Sequence, residues 1–311
     1  MVDIKNQDVI NTKQFSREEL ELIMDKAAEY EEKLEKEENI KVMEGKVLGA
    51  LFFEPSTRTR LSFETAMHKL GGDVVTVADP KTSSAAKGES MGDSIKTVEG
   101  YADIIAMRHP KIGSAEEAAE AASIPILNGG DGAGQHPTQA LLDIYTIFKE
   151  EGGVDGKTIS LVGDLKNGRT VHSLVYLLAQ FEDVKINLIA PERLAFPKKI
   201  LEELKEMGAE VAEYTEMEEP LKESDVVYMT RIQQERFDDP AEYEKLKGVY
   251  KLDMDKVNSA KTGLTVMHPL PRIDEIPVEV DDYEGAAYFR QAANGVPVRM
   301  ALISLILGKD K

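Results

Sequence analysis

The chain has 311 residues, of which 57 are acidic and 38 basic, so its formal net charge is −19. This length suits two domains of ordinary size, and the negative charge argues against nucleic acid or an anionic membrane surface as a partner, because both need a positive footprint. With no cysteine, the chain forms no disulfide and no thiolate metal site. The first residues lack a signal-peptide pattern and no apolar run would span a bilayer, so we expect a cytoplasmic protein.

An amphipathic helix opens the predicted fold, and short strands follow it. Ser16 and Glu19 form a capping box, after which apolar residues recur at helical spacing. Each of the next apolar runs is followed by a polar loop and a stretch that can form a helix, which is typical of βα repetition. The strands predicted in this half are 47–53, 74–77, 104–107 and 124–127.

A turn-rich break, GGVDG, separates this half from a second series of strands. The helix before the break begins at His136, the predicted N-cap, and Pro137. The strands predicted beyond it are 158–162, 185–189, 210–214, 226–229 and 264–267, and a last helix covers 296–307. The fold class is therefore α/β, with two domains that each contain a mostly parallel sheet flanked by helices on both faces.

Six of the predicted strand ends carry arginine, histidine or hydroxyl groups, although the chain as a whole is acidic. Ligands of open α/β sheets bind at the carboxyl ends of the strands. Any one such loop is polar for ordinary reasons, but six of them make a shared anion site the better explanation. The six loops are EPSTRTR (54–60), RHP (108–110), NGGDGAGQHPTQ (128–139), GDLKNGRT (163–170), TRIQ (230–233) and HPLPR (268–272).

The loop after the first strand has the features of a phosphate site. Ser56 is a good N-cap for the helix that follows, so the backbone N–H groups of Thr57, Arg58 and Thr59 would point out of the helix start. The positive end of the helix dipole lies at the same place. The alternative is an ordinary capped helix whose arginines face water, but a cap explains only Ser56.

Two later loops suit a carboxylate. GDLKNGRT has the glycine spacing of a P-loop, but Arg169 stands where a P-loop needs lysine, and no Mg²⁺-binding carboxylate ends a neighbouring strand. The fork of Arg169 can bind both oxygens of a carboxylate. The same holds for Arg231, and Gln233 lies on the same side of this segment if it is extended.

The remaining loops leave several roles open. His136 and Gln139 share one face of a helix, and on these residues alone His136 is either a cap or a catalytic group. A zinc site formed by His136 and His268 would lack a third ligand at a familiar spacing. Leu270 lies between two prolines, and the Leu270–Pro271 bond is a candidate for the cis form.

With these segments assembled, the chain resembles the aspartate/ornithine carbamoyltransferase family, and within it the catalytic chains of the aspartate carbamoyltransferases. The similarity runs over nearly the whole length. The resemblance implies transfer of the carbamoyl group of carbamoyl phosphate to the α-amine of L-aspartate in pyrimidine biosynthesis, without a cofactor or a metal. The segments that carry it are FFEPSTRTRLSFETA, SSAAKGES, YADIIAMRHP, DGAGQHPTQALLD, VGDLKNGRTVHSL, MTRIQQERF, HPLPRIDEI and QAANGVPVRMAL.

The resemblance also implies roles for individual residues. Carbamoyl phosphate would be bound by Ser56, Thr57, Arg58, Thr59, Arg108, His136 and Gln139, with Ser83 and Lys87 entering from a neighbouring subunit. Aspartate would be bound by Lys87, Arg169, Arg231, Gln233, Leu270 and Pro271. The catalytic residues would be Arg58, Thr59, Lys87, Arg108 and His136, and Glu54 would bridge the domains on closure through Arg169 and Arg236.

At the level of domains and partners, the resemblance implies a carbamoyl-phosphate-binding domain over 1–150 and an aspartate-binding domain over 151–290. The segment 291–311 would return to the first domain as a helix. The partners would be further copies of the chain, in a homotrimer with shared active sites. Separate regulatory chains are an additional partner that the sequence leaves open.

Some residues depart from the family pattern, and some alternatives stay open. Ala133, Gly134 and Asn167 lie where bulkier or more polar residues are expected, so we expect their loops to be less rigid. Ornithine carbamoyltransferase is the alternative within the family, but it is expected to carry HCLP where this chain has HPLP, and Arg231 suits an anionic substrate. From other classes, a P-loop ATPase and a non-catalytic anion-binding protein are the competing hypotheses.

Overall fold

The computed structural model describes residues 2–79, 88–233, 237 and 239–309. Ser83, Lys87 and Arg236, to which the resemblance assigns roles, lie outside these residues. The described chain forms two compact units. The first comprises Met1–Leu142 and Asn294–Lys311, and the second comprises Asp143–Ala293.

The first unit contains a four-stranded sheet in the order β2–β1–β3–β4, and all neighbouring strands are parallel. Val9 adds a parallel bridge to Leu127 at the outer side of β4. The strands are β1 (Val47–Phe52), β2 (Asp73–Val77), β3 (Ile104–His109) and β4 (Ile126–Asp131). The helices up to the division are α1 (Arg17–Glu35), α2 (Thr57–Lys69), α3 (Met91–Val98), α4 (Ser114–Ala121) and α5 (Pro137–Glu151).

One face of this sheet packs against α3 and α4 through a continuous apolar cluster. Leu51, Ile105 and Met107 of the sheet contact Ile95 of α3 and the alanines of α4. Gly49 permits the close approach of α3, because a Cβ atom there would lie 3.0 Å from Cγ1 of Val98. β1 and β3 are buried along nearly their whole length, as expected for parallel strands covered on both faces.

The second unit contains a five-stranded parallel sheet in the order β7–β6–β5–β8–β9. Its core is apolar and combines strand residues with the helices that follow them. The strands are β5 (Thr158–Val162), β6 (Lys185–Ile189), β7 (Glu210–Tyr214), β8 (Val226–Met229) and β9 (Thr265–Met267). The helices are α6 (Arg169–Leu178), α7 (Lys198–Glu206), α8 (Glu218–Leu221), α9 (Pro240–Leu246), α10 (Met254–Ser259) and α11 (Tyr288–Ile306).

The predicted fold class is confirmed: two parallel sheets are flanked by helices. Several predicted boundaries differ from the structure by a residue or two, and two elements differ by more. The fourth strand continues to Asp131 because Asn128 and the glycines after it, which the sequence indicates as a turn, stay in the ladder. The last helix begins at Tyr288, before Gly295 and Pro297, rather than at residue 296.

Gly295 lies inside α11 for reasons of packing. A Cβ atom there would lie 2.4 Å from Nη1 of Arg299, whose buried guanidinium donates to Ser62 of α2 at 2.6 Å. The contact division falls within α5 and within α11, whereas the predicted boundary at residue 150 lies near the end of α5. Of the helices in the described ranges, none has the length and apolar character needed to cross a membrane.

Candidate active site

The strand order of each sheet reverses at one position, which is where open α/β sheets generally bind ligands. In the first sheet the chain passes from β1 to β2 on one side and then to β3 on the other, so the order reverses between β1 and β3. In the second sheet the same reversal occurs between β5 and β8. Such reversals open a crevice at the carboxyl ends of the strands. An arginine lies at or shortly after the carboxyl end of each of these four strands: Arg58, Arg108, Arg169 and Arg231.

The start of α2 presents polar groups beside the first reversal. Ser56 occupies the N-cap position, as predicted, but its side chain makes no capping hydrogen bond. The first turn of α2 therefore keeps backbone N–H groups that a helix start cannot satisfy internally. Partial desolvation lowers the pKa of the Arg58 guanidinium, which stays charged at any physiological pH because its ordinary pKa is so high. This helix start can bind a phosphate.

Arg108 lies at the end of β3, with its guanidinium buried among polar groups. Nη1 donates to the carbonyl oxygen of Gly129 at 3.3 Å, and Nη2 lies 3.3 Å from Oε1 of Glu54. Thr59 is buried beside Gly129, where a Cβ atom would lie 3.4 Å from the Thr59 methyl group and 3.0 Å from the carbonyl oxygen of Met107. Residues from α2, β3 and the β1–α2 loop thus meet at Gly129.

The loop between β4 and α5 is organised by a buried carboxylate. Oδ1 of Asp131 accepts the backbone N–H of Gln135 at 2.5 Å, and Oδ2 accepts that of Gly113 at 2.9 Å. Gly134 is required here, because a Cβ atom would lie 2.6 Å from Oδ1 of Asp131. Contrary to our expectation, the glycine therefore belongs to a fixed turn, which leads directly to the buried His136.

Gly132 provides a test of this loop. Its φ is +56°, and a Cβ atom would lie 2.3 Å from the carbonyl oxygen of Pro110, so Gly132→Ala must displace backbone. We expect a loss of at least about 2 kcal/mol in the free energy of unfolding, with weaker phosphate binding by calorimetry. The control is Gly152→Ala, where φ is +66° but no atom lies within 4 Å; it should cost only about 1 kcal/mol. Equal losses in the two variants would contradict the steric argument.

In the second unit, the loop after β5 is held by Asp164. Oδ1 of this carboxylate accepts the backbone N–H of Asn167 at 3.0 Å, and the Asn167 amide donates to both carboxylate oxygens at 3.1 Å. Asn167 therefore fixes the loop that we expected it to loosen. Arg169 follows as the first residue of α6, and the ring of His172, one turn later, bonds the carbonyl oxygen of Leu165 at 2.7 Å.

The loop after β8 is joined to the end of β5 by two hydrogen bonds. The backbone N–H and hydroxyl of Thr230 donate to the carbonyl oxygen of Val162 at 2.8 and 2.9 Å. Gly163 has a φ of +121°, and a Cβ atom there would lie 2.3 Å from the Thr230 carbonyl oxygen. The side chain of Gln233 donates to the Asn167 carbonyl oxygen at 3.4 Å. This packing places Arg231 at the strand reversal, with its side chain partly exposed.

The segment after β9 takes an unusual backbone path. The Leu270–Pro271 bond is cis, which confirms the predicted candidate, and Leu270 has a φ of +55°. Leu270 is half-buried and Pro271 exposed. From the sequence, His268 was considered only as a zinc ligand. In the structure its ring instead hydrogen-bonds the Glu275 carboxylate and the backbone N–H of Leu270. Among the described residues, no group of three or more His, Cys, Asp and Glu side chains could hold a metal ion.

Sequence reasoning missed the residues that support this site: Gly129, Asp131, Asp164, Thr230 and Glu275. None of them has a side chain that marks a ligand site by itself. The glycine-rich composition of NGGDGAG was the only available signal for the first two, because glycines within a short buried loop indicate close backbone approach. The roles of the carboxylates depend on contacts between loops, which a single sequence does not display.

Comparisons with known proteins cover the whole chain. The aspartate/ornithine carbamoyltransferase carbamoyl-P binding domain matches residues 7–149, and the Asp/Orn binding domain of the same family matches residues 155–306. The aspartate carbamoyltransferase catalytic subunit of Thermococcus kodakarensis is 54% identical over 307 residues, which are 99% of this chain and 99% of that protein. That of Methanopyrus kandleri is 52% identical over 309 residues, again 99% of each chain.

Solved structures agree with these sequence matches. The catalytic subunit of Methanocaldococcus jannaschii aspartate transcarbamoylase superposes with a TM-score of 0.90 at 51% identity, covering 96% of this chain and 97% of that chain. Aspartate transcarbamoylase from Trypanosoma cruzi, in complex with carbamoyl phosphate and aspartate, gives a TM-score of 0.93 at 41% identity, with 98% of each chain covered. The chain therefore belongs to the aspartate/ornithine carbamoyltransferase family of transferases, and within it to the group of aspartate carbamoyltransferase catalytic subunits.

Proposed function

We propose that this enzyme transfers the carbamoyl group of carbamoyl phosphate to the α-amine of L-aspartate, giving N-carbamoyl-L-aspartate and phosphate for pyrimidine biosynthesis. One observation carries the proposal: in a chain of net charge −19, both strands at the reversal of each sheet have an arginine at or shortly after their carboxyl ends. Two separate concentrations of cations suit two anionic substrates. The full-length relatives are named for aspartate, which supports this substrate over ornithine.

In the first unit, we assign the phosphate of carbamoyl phosphate to the start of α2 and to Arg108. Ser56, Thr57, Arg58 and Thr59 supply backbone N–H groups, hydroxyls and one guanidinium there. The carbonyl oxygen of the substrate would accept hydrogen bonds from Thr59, Arg108 and His136. Gln139, in the first turn of α5, would accept from the carbamoyl amine. The T. cruzi complex with carbamoyl phosphate supports the choice of this ligand.

In the second unit, we assign the carboxylates of aspartate to Arg169, Arg231 and Gln233. A guanidinium binds a carboxylate through two parallel hydrogen bonds, which fixes the orientation of the substrate as well as its charge. Backbone carbonyl groups of Leu270 and Pro271 would bind the amine side of the substrate. Domain closure through Glu54, Arg169 and Arg236 stays a prediction.

The proposed chemistry needs no covalent intermediate with the enzyme. Carbamoyl phosphate is an activated anhydride, and the aspartate amine attacks its carbonyl carbon to form a tetrahedral intermediate with negative charge on the oxygen. Thr59, Arg108 and His136 would stabilise that charge, for which a neutral imidazole with its N–H toward the oxygen suffices. The carbon–oxygen bond to phosphate then breaks, and the phosphate or solvent takes the amine proton. The enzyme contributes placement and charge stabilisation.

The amino-acid requirement tests this function. Purified protein is incubated with carbamoyl phosphate and either aspartate, ornithine or neither, and phosphate release is measured; a parallel reaction contains ATP alone. We expect release only with carbamoyl phosphate and aspartate. Release with ornithine alone would indicate the other branch of the family, release from ATP would indicate a P-loop enzyme, and binding without release would indicate a non-catalytic anion-binding protein.

We further propose a homotrimer in which Ser83 and Lys87 complete the site of a neighbouring subunit. The support is the match of the SSAAKGES segment to the family pattern. Complementation tests it: Arg58→Ala and Lys87→Ala trimers should each be nearly inactive. After they are mixed and reassembled at random, about one site in four should pair an intact Arg58 with an intact Lys87.

The matched control mixes Arg58→Ala with Thr59→Ala. Each site takes its α2 from one subunit, and that subunit carries one of the two substitutions, so no reassembled trimer contains an intact site and no activity should return. Activity that also stays at the parental level in the Arg58→Ala and Lys87→Ala mixture would refute shared sites. The mass of the complex in solution tests the trimer and any added regulatory chain directly.

A further inference from the structure

His268 and Glu275 form a buried pair in the segment after β9. The imidazole and the carboxylate are 1% and 5% exposed, and Nε2 of His268 lies 2.6 Å from Oε1 of Glu275. Burial alone would raise the pKa of Glu275, but the hydrogen bond from His268, together with backbone N–H donors, holds this pKa below its ordinary value. Glu275 is therefore an ionised acceptor at neutral pH.

The other ring nitrogen of His268 fixes the tautomer. The backbone N–H of Leu270 donates to Nδ1 at 2.8 Å, so Nδ1 must carry its lone pair. The ring proton of the neutral imidazole is then on Nε2, which donates to Glu275. A protonated imidazole would place an N–H group against the Leu270 N–H, so this geometry admits only the neutral ring.

The same pair holds both sides of the turn that contains Leu270. Oε2 of Glu275 accepts the backbone N–H groups of Ile273 and Asp274, each at 3.1 Å. Leu270 itself has a φ of +55°, a left-handed conformation that a residue with a branched side chain rarely adopts unless its surroundings impose it. The hydrogen bond from the Leu270 N–H to Nδ1 of His268 can impose this conformation.

Further contacts anchor the pair to β8, the strand that precedes Arg231. The backbone N–H of His268 donates to Oε1 of Gln291 at 2.8 Å, and Gln291 donates to the buried Asp143 at 2.7 Å. Tyr228 of β8 donates to the other oxygen of Asp143 at 2.8 Å. Glu275 and Arg231 also line one small cavity. The turn is thus tied to β8, the strand directly before Arg231.

We propose that His268, in the Nε2–H form set by Glu275, is a positioning residue that holds Leu270 and Pro271 in the conformation that receives aspartate. This inference rests on the proposed function, in which the carbonyl groups of Leu270 and Pro271 contact that substrate. His268 does not touch the substrate itself. Glu275 acts one step further away, by fixing which nitrogen of the ring accepts the Leu270 N–H.

Two substitutions of His268 separate its two hydrogen bonds. In His268→Asn the amide oxygen takes the place of Nδ1 and can still accept the Leu270 N–H. In His268→Gln the amide nitrogen takes the place of Nε2 and can still donate to Glu275, but the Leu270 N–H loses its acceptor. We expect the aspartate KM to rise about tenfold in His268→Gln and less than about threefold in His268→Asn, while the Kd of carbamoyl phosphate is unchanged in both.

Equal aspartate KM values in the two folded variants would overturn the proposal, and so would equal weakening of both substrates, which indicates a general structural role. If His268→Gln does not fold, Glu275→Gln replaces it as the test. This variant no longer enforces one tautomer, so the aspartate KM should rise with unchanged carbamoyl phosphate binding. An unchanged aspartate KM in Glu275→Gln would also end the proposal.

A measurement on the unaltered protein is independent of activity. The chain contains five histidines, so ¹⁵N NMR of protein labelled in histidine can identify the His268 ring by comparison with His268→Asn. We expect an unprotonated Nδ1 and a protonated Nε2 at neutral pH. An imidazolium or an Nδ1–H ring would refute the positioning role. Failure of the proposed function appears separately, as absence of aspartate-dependent phosphate release in the unaltered protein.

Discussion

Replacing Arg58 by alanine is expected to lower kcat about 10²- to 10³-fold while the protein stays folded. Arg58 lies in the first turn of α2, where its guanidinium can bond the phosphate as negative charge accumulates on the leaving group. Interactions that strengthen in the transition state act on kcat, and one preorganised donor in an active site is typically worth this factor. Steady-state phosphate release measures the effect, and thermal unfolding verifies the fold.

Arg60→Ala is the matched control for this prediction. Arg60 lies two residues further along the same helix, and its guanidinium lies 3.6 Å from Glu64 rather than at the helix start. The substitution removes the same charge from α2, so it accounts for any general effect of net charge on anionic substrates. We expect kcat within about threefold of normal, since this partly exposed i,i+4 ion pair contributes little and lies away from the helix start. A near-normal kcat in Arg58→Ala would exclude the assigned role.

Replacing Arg231 by alanine is expected to raise the aspartate KM about 10²-fold and to leave carbamoyl phosphate binding intact. Arg231 follows β8 in the second unit, whereas the assigned phosphate contacts belong to the first. Truncating one partner of a charge-assisted, bidentate pair costs about 2–5 kcal/mol, which corresponds to a factor of this size. Initial rates give the aspartate KM, and calorimetry gives the Kd of carbamoyl phosphate.

The control for Arg231 is an arginine of the same unit that already has a carboxylate partner. Arg290 makes two hydrogen bonds to Glu150, at 2.8 and 2.7 Å, and we assign it no substrate. Arg290→Ala should change the aspartate KM by less than about twofold. If Arg231→Ala weakened carbamoyl phosphate and aspartate equally, the division of the substrates between the two units would be wrong.

The sequence was sufficient for the elements and for the loops that carry arginine. Strands such as 158–162 and 185–189 are short, mainly apolar runs between polar loops, and the structure places them at the same residues. Arg58 and Arg231 could be identified as candidate ligand-binding residues because positively charged side chains grouped at strand ends are unusual in so acidic a chain. These features are local, so the order of residues along the chain reveals them.

The order of the strands was not accessible to this reasoning. The reversal between β1 and β3 arises because β2 lies on the other side of β1, and nothing in the local pattern states this. The roles of Asp131 and Glu275 depend similarly on backbone N–H groups that the folded loops bring to them. The close approach of Arg299 to Gly295 inside α11, where a Cβ atom would lie 2.4 Å from Nη1, is likewise absent from the local pattern.

The unused capping position of Ser56 shows a trade-off between stability and function at α2. Ser16 and Ser90 occupy the same position in α1 and α3, and each accepts a backbone N–H bond from within its helix. Ser56 does not, although a serine cap typically stabilises a helix by about 1 kcal/mol. The first turn of α2 is thereby intrinsically weaker than it need be, and its N–H groups remain available to an anion. Selection for thermostability alone would favour closing this helix start, at the expense of the ligand that we assign to it.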